Sequence, residues 1–348
     1  MSETLSSIQN WAGTLPGLGS RQPEVTFKYE RDGVRSYTLS YADNRLRFKH
    51  YLDRPGAKPS LLERSARDLG QAEATALESY AAEGLAPQLV WSGEMPAQLG
   101  GYGVVYRRVE GLTAEAAYLT EAHAERLAHA LRQVHSRTLQ SKLLAPQPRN
   151  LAGWWNRVHE QYRDLPPEFT AALPPTLEES LVGLVQSVSG DANAHIRFWQ
   201  GASLVPVHGN LTMRNVIFDD RQVTLVDWPR FGLGDPAYEL ANAVWEMALS
   251  GNEPLVEHLA SSYLRQAGDI MLERRVLIYR RLLPFGRFLD FLHSQWRGES
   301  SVSHRADTSS RYLSAAMSVY GWQQQTVDQT VSQFESWLTT RQKGQSSN

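Results

Sequence analysis

The chain has 348 residues, 42% of them hydrophobic and 21% charged, the makeup of a soluble globular protein long enough for two lobes and a sizeable core. Its 35 Lys and Arg stand against 37 Asp and Glu, and a net charge of -2 gives no electrostatic footprint for a nucleic-acid partner. Cysteine is absent, which excludes disulfides, thiolate metal sites and a cysteine nucleophile, and no stretch approaches the roughly 20 apolar residues of a membrane helix.

The opening MSETLSSIQNWAGTL has neither a basic start nor an apolar run, so it does not read as a secretory signal, and a cytoplasmic protein is the expectation. Val25–Tyr29 alternates polar and apolar residues, Glu30-Arg31-Asp32-Gly33 turns, Ser36–Tyr41 alternates again, Ala42-Asp43-Asn44 turns, and Arg45–Leu52 follows: three strands of a meander. Asp53–Pro59 holds two prolines and a glycine and reads as a loop. The Ala-, Glu- and Leu-rich run from Leu61 to Glu83 predicts a helix closing at Gly84. Val90–Trp91 and Val104–Val109 predict further strands.

The pattern then turns helical. Thr113 caps a predicted helix over Ala114–Ser136, and Leu151–Leu165 and Leu177–Trp199 continue the series. After a short non-helical segment come Pro236–Ser250, Glu253–Ala267, Met271–Trp296 (bent or broken near Pro284 and Gly286) and Ser309–Thr340, with a polar tail at the end. A β-rich part of about 110 residues therefore precedes a mainly helical part.

The segment from Val205 to Glu239, VPVHGNLTMRNVIFDDRQVTLVDWPRFGLGDPAYE, carries the chemistry. Two apolar runs, Asn215–Phe218 and Val223–Val226, flank the polar turn Asp219-Asp220-Arg221-Gln222 and predict a small hairpin. His208, Gly209 and Asn210 precede it, and Asp227 and Trp228 follow it. Taken singly, Asn215 reads as a turn residue, Asp227 as a strand-end cap and His208 as a packed structural residue. Together the arrangement resembles the catalytic core of the aminoglycoside phosphotransferase and choline kinase group, the kinase-like small-molecule phosphotransferases. There the pattern is His-Gly-Asp, four residues, Asn, and a hairpin ending in Asp. The spacing is kept here, with Asn210 at the position of the family's catalytic Asp.

The resemblance implies an α+β, bilobal protein-kinase-like fold. Residues 1–110 would be a β-rich N-lobe covering the nucleotide, 111–342 a helical C-lobe with the catalytic loop and metal-binding hairpin, and 343–348 a polar tail. It implies ATP, or another nucleoside triphosphate, and Mg2+ as cofactors. Asp227 and Asn215 would be the metal ligands, a sparse set that suits an ion taking one or two protein oxygens plus phosphates and water. Lys49 would meet the phosphates and Glu73 would position it, with Glu63 and Glu78 as rivals for that carboxylate. Composition alone makes Lys49 a solvated strand residue and Glu73 an ordinary helix residue. Gly33 is the one glycine at the phosphate-covering turn, and Tyr106–Val109 matches the hinge whose backbone meets adenine. Asp235 reads as a cap before Pro236.

An Asp at position 210 would orient the acceptor hydroxyl and take its proton; Asn accepts a hydrogen bond but no proton. No other Asp or Glu lies between Val205 and Phe218. The sequence therefore supports a small-molecule phosphotransferase with weakened catalysis, or alternatively a nucleotide- or metabolite-binding pseudokinase acting as a scaffold or regulator through a protein partner. An Asp-to-Asn variant of an active enzyme fits equally. The acceptor is a small molecule: Arg274, Arg275, Arg280, Arg281, Arg287 and Arg297 argue against a polycation, whereas Trp245, Tyr279, Phe285, Phe288, Phe291 and Trp296 form either a choline-type site or simply core.

Overall fold

The computed structural model describes residues 2–16, 18, 22–31, 33–41, 44–52, 64–139, 150–296 and 306–345. The loop expected over Asp53–Pro59, the turn residues Asp32, Ala42 and Asp43, and the rival carboxylate Glu63 lie outside them. In chain order the elements are α1 (Ser2–Ala12), β1 (Glu24–Arg31), β2 (Val34–Tyr41), β3 (Asn44–Tyr51), α2 (Ala66–Tyr80), β4 (Leu89–Glu94), β5 (Tyr102–Arg107), β6 (Leu112–Thr113), α3 (Glu121–Ser136), α4 (Leu151–Arg163), α5 (Pro167–Thr170) and α6 (Pro175–His195). They continue with β7 (Val205–Val207), β8 (Val216–Phe218), β9 (Val223–Leu225), β10 (Gly232–Gly234), α7 (Pro236–Leu249), α8 (Val256–Ala267), α9 (Ile270–Trp296), α10 (Ala306–Val319) and α11 (Gln324–Gln345). The fold is α+β and protein-kinase-like. No described helix is long and apolar enough to cross a membrane.

The chain divides into two compact units. One comprises Met1–Gln147, Leu204–Pro236 and Glu257–Ala267. Its main sheet has the order β1-β2-β3-β5-β4, antiparallel throughout. The expected meander is its first half. Alternation sends Tyr37, Leu39, Leu46 and Phe48 into a core with Val105, where Ile8 and Ala12 of α1 also pack. Helix α1 escaped the sequence reading, although Leu5, Ile8 and Ala12 carry helical spacing.

Helix α2 starts at Ala66 rather than Leu61 because Ser65 and Asp68 form a reciprocal capping box. It ends through a short 3-10 turn at Gly84, whose φ of 74° only glycine adopts without strain. Gly70 lets α2 approach the sheet closely: a Cβ there would fall 2.3 Å from the Tyr102 ring. That approach brings the buried face of α2 onto β3 and β5.

Thr113 does not cap a helix. It pairs with Ile217 in a three-stranded sheet ordered β6-β8-β9, and α3 begins seven residues later behind Thr120, whose backbone N–H donates to His123 Nδ1 at 3.2 Å. A cross-strand partner distant in sequence decided this, which local spacing does not reveal. Strands β7 and β10, unread in the sequence, pair Val207 with Gly232 and bracket the segment of interest.

On β3, His50 is buried, and its Nε2 donates to Gly100 O at 2.6 Å, while among the described residues its Nδ1 has no partner. Burial lowers its pKa below the ordinary histidine value. The unfolded chain then binds a proton that the folded chain refuses, so stability is complete above about pH 6.5 and falls as pH drops through the lowered folded pKa. Thermal melts from pH 7.5 down to 5.5 should show a decline that His50→Gln flattens; an unchanged slope in that variant would refute the assignment.

The other unit comprises Pro148–Ser203, Ala237–Val256 and Gly268–Asn348 and is helical. Helix α9 is unbroken despite Pro284. A proline removes the N–H that would bond four residues back. Here the orphaned Arg280 carbonyl accepts instead from Trp245 Nε1 at 2.8 Å. The helix expected over Ser309–Thr340 is two, α10 and α11, separated at Gly321 with a φ of 76°. Tyr279, Phe285, Phe288 and Phe291 are buried in the core with Trp154 and Phe334, so they are packing residues.

Candidate active site

All five sequence-predicted site residues lie in the first unit. The third strand delivers Lys49. Alternation puts Lys49 and Tyr51 on one face of β3, toward α2, while Phe48 faces the core and stacks on Tyr37 at 5.5 Å between ring centroids. Lys49 is not a solvated strand residue: it is 3% exposed. Its Nζ donates to Glu73 Oε1 at 2.6 Å and to Asp227 Oδ1 at 2.5 Å, and lies 5.9 Å from the centroid of the Tyr106 ring.

Glu73 is fully buried on α2, and its partners account for that. Oε1 also accepts from the Trp228 backbone N–H at 3.2 Å, and Oε2 accepts from Tyr51 Oη. A buried carboxylate is tolerated only when it is paired and hydrogen-bonded in this way. Glu78 is exposed and takes no part. Burial alone would lower the Lys49 pKa, but Asp227 and then Glu73 hold it well above the ordinary lysine value. Burial alone would raise the Asp227 pKa, and the Lys49 ammonium overrides it, so the carboxylate sits below its usual range. Lys49 and Asp227 are therefore ionised together at neutral pH.

The segment after β7 supplies the rest. His208 is buried, donates from Nε2 to Val226 O at 3.0 Å and accepts the Asn210 N–H at Nδ1 at 3.3 Å. It ties the loop to the hairpin and has no free nitrogen for chemistry. Gly209 has a φ of 77°, and a Cβ there would stand 2.2 Å from the Arg230 carbonyl oxygen. Gly209→Ala should therefore cost at least about 2 kcal/mol, as strain plus a backbone clash. A fall in melting temperature would register this; an unshifted melt would show that the loop relaxes freely.

Asn215 closes a 3-10 turn immediately before β8, which starts at Val216, one residue later than the expected start at Asn215. Asp227 has a φ of 68°, the left-handed region that Asp tolerates better than most residues. Its neighbour Trp228 is fully buried, donates from Nε1 to Leu225 O at 2.7 Å and stacks on Tyr80 at 5.4 Å, which holds the strained residue in place.

Asn210 and Asn215 converge on the second oxygen of Asp227. Asn210 Nδ2 donates to Asp227 Oδ2 at 3.1 Å, and Asn215 Nδ2 lies 3.4 Å from the same atom. Asn215 Nδ2 also donates to the Asn210 carbonyl at 2.8 Å, which fixes the amide so that Oδ1 is its remaining face. A free amide oxygen beside a carboxylate is the hard-oxygen pair that Mg2+ takes alongside phosphates. Among the described residues no group of three or more His, Cys, Asp or Glu is placed to hold a metal. Asp219 is no substitute base: its Oδ1 accepts the Arg221 and Gln222 N–H groups at 2.7 Å each, at the hairpin tip. Asp235, before α7, is buried.

A model of the phosphotransferase enzyme family matches residues 44–277, two-thirds of the chain, and includes Lys49, Glu73, Asn210, Asn215 and Asp227. The chain belongs to that family. Its fold is similar to a choline/ethanolamine kinase family protein from Mesorhizobium loti, with 15% identity, 95% of this chain and 99% of that one covered, and a TM-score of 0.60. It is similar to a choline kinase from Cryptosporidium parvum Iowa II at 14% identity, 97% and 100% coverage and a TM-score of 0.59. A thermostable mutant of an aminoglycoside phosphotransferase, in a ternary complex with AMP-PNP and hygromycin B, aligns at 15% identity, 94% and 98% coverage and a TM-score of 0.55. No curated protein matches.

Sequence reasoning did not find Tyr51 or the Trp228 N–H as holders of Glu73. For Tyr51 the signal was present, since it stands two residues from Lys49 on the same strand face. A backbone N–H leaves no trace in composition.

Proposed function

We propose that this phosphotransferase-family protein binds a nucleoside triphosphate, ATP in the first instance, and transfers its terminal phosphoryl group slowly to a small-molecule hydroxyl. The observation that carries this reading is the charge chain Glu73–Lys49–Asp227, with Asn210 on the far oxygen of Asp227. Phosphoryl transfer demands mainly positioning and charge stabilisation. Lys49 would present its ammonium to the phosphates, held by Glu73 through a bond that leaves the lysine stem little freedom. Asp227 and the Asn215 amide oxygen would hold Mg2+, which neutralises charge developing on the transferred group. The backbone of Tyr106–Val109 would meet the base of the nucleotide.

Asn210 would orient the acceptor hydroxyl but has no site for its proton, and the loss of a general base is worth about 10²–10⁴ in rate. A second reading, a nucleotide-binding pseudokinase acting through a protein partner, is favoured by one contact. The Asn210 amide satisfies Asp227 directly, so the cluster holds together with no catalysis asked of it. Calorimetry with AMP-PNP and Mg2+ comes first: absence of binding would sink both readings and leave a scaffold. With binding established, release of ADP against a panel of small alcohols separates slow transferase from pseudokinase.

A further inference from the structure

Both oxygens of Asp227 already have protein donors. Oδ1 accepts the Lys49 ammonium at 2.5 Å. Oδ2 accepts the Asn210 amide at 3.1 Å, with the Asn215 amide nitrogen 3.4 Å from the same atom. What the two amides face settles their orientation. Asn215 Nδ2 donates to the Asn210 carbonyl at 2.8 Å, and a carbonyl only accepts. An ionised carboxylate also only accepts, so Asn210 turns its N–H rather than its C=O toward Asp227.

An Asp at position 210 would set a second carboxylate against Oδ2, with no hydrogen to offer. Two carboxylates at hydrogen-bond distance repel unless a cation lies between them. A triphosphate brings further negative charge, so such a site would resist it until a metal arrived. In this chain the Asn210 N–H stands where that cation would be needed. Lys49 meanwhile keeps binding capacity. An ammonium carries three hydrogens, and among the described residues its oxygen partners are two, Glu73 and Asp227. The third hydrogen is left for a phosphate oxygen.

We propose that Asn210 takes the place of the metal at Asp227, so that this protein binds its nucleoside triphosphate without needing Mg2+. The inference rests on the nucleotide-site reading and concerns the control of that same site. The amide does at Oδ2 what ligation would do: it satisfies a lone pair and screens the carboxylate from the phosphates. It also obliges a metal ion to compete. To ligate Oδ2 the ion must displace an N–H donor, and Mg2+ sheds its water reluctantly for a single carboxylate. The contribution of the metal is thereby confined to the transfer step, where charge develops on the moving group.

AMP-PNP is titrated calorimetrically into the full chain in EDTA and in millimolar Mg2+, for the parent, Asn210→Asp and Asn210→Ala. In the parent the two affinities should agree within about threefold. In Asn210→Asp the affinity in EDTA should fall below that in Mg2+ by about tenfold or more, with Asn210→Ala between the two. Mn2+ added to the protein alone, followed by loss of the EPR signal of the aqueous ion, should bind Asn210→Asp at millimolar concentration and leave the parent untouched. A parent that depends on Mg2+ by about tenfold or more, or variants as indifferent to metal as the parent, would overturn the proposal. So would Mn2+ binding to the parent as tightly as to Asn210→Asp. Should Asn210→Asp fail to fold, Asn210→Ala carries the comparison, because it removes the N–H without adding a charge. If AMP-PNP binds the parent in neither condition, the nucleotide reading falls, and the Mn2+ titration still decides whether Asn210 closes Asp227 to metal.

Discussion

Asn210→Asp is expected to raise phosphoryl transfer to an accepted alcohol by about 10²–10⁴-fold, the usual worth of a general base within reach of the reacting proton. The same substitution should weaken the protein when no metal is present. In the parent, Asn210 Nδ2 donates to Asp227 Oδ2 at 3.1 Å; in the variant, a carboxylate faces a carboxylate across that distance. One hydrogen bond is lost and a like-charge contact is gained, for a combined cost of about 1–3 kcal/mol. Mg2+ bound between the two would reverse the sign, because a divalent cation turns the repulsion into ligation. The variant should therefore melt lower than the parent in EDTA and recover in millimolar Mg2+, while the parent responds little to either. The two readouts are separable. A melt that becomes metal-dependent without gain of turnover would show that Asn210 is not the limiting lesion. A melt indifferent to metal would refute the placement of Asp227 as a ligand.

Lys49→Met should be the most damaging single change to the folded state of the first unit. It leaves Glu73, fully buried, and the low-pKa Asp227 without their shared cation. Breaking a buried pair by removing one partner costs about 3–5 kcal/mol, since an uncompensated charge stays behind. Adding Glu73→Gln to that variant removes the stranded charge and should restore part of the loss, so the two changes are non-additive. Denaturant melts of parent, singles and double measure the coupling. Additive losses would mean that the 2.6 Å contact between Lys49 and Glu73 carries no energy. Nucleotide affinity should fall in every variant that lacks Lys49, independently of stability.

Local pattern alone carried the sequence reading a long way. The meander of β1, β2 and β3 follows from alternation between turn residues, and the helix bearing Glu73 from its composition and the glycine that ends it. Asn210, Asn215 and Asp227 belong to one contiguous motif, so their spacing was visible in a single stretch of chain. The errors arose where a distant partner outweighed a local signal. Thr113 is a good cap by type, but it is claimed by a strand pairing with Ile217. Pro284 is a helix breaker by type, but the carbonyl it orphans is satisfied by Trp245.

By itself, then, the sequence determined the strand meander, the small hairpin of β8 and β9 within the motif, and the absence of a base at position 210. These depend on side-chain periodicity and on residue identity within a few positions. Tertiary structure alone decided that Lys49, Glu73 and Asp227 meet, across sequence separations of 24 and 178 residues. It also decided that Tyr51 and the Trp228 N–H complete the shell of Glu73. The reason is physical: burial is what turns an ordinary strand lysine and an ordinary helix glutamate into a fixed ion pair, and burial is a property of the packed chain.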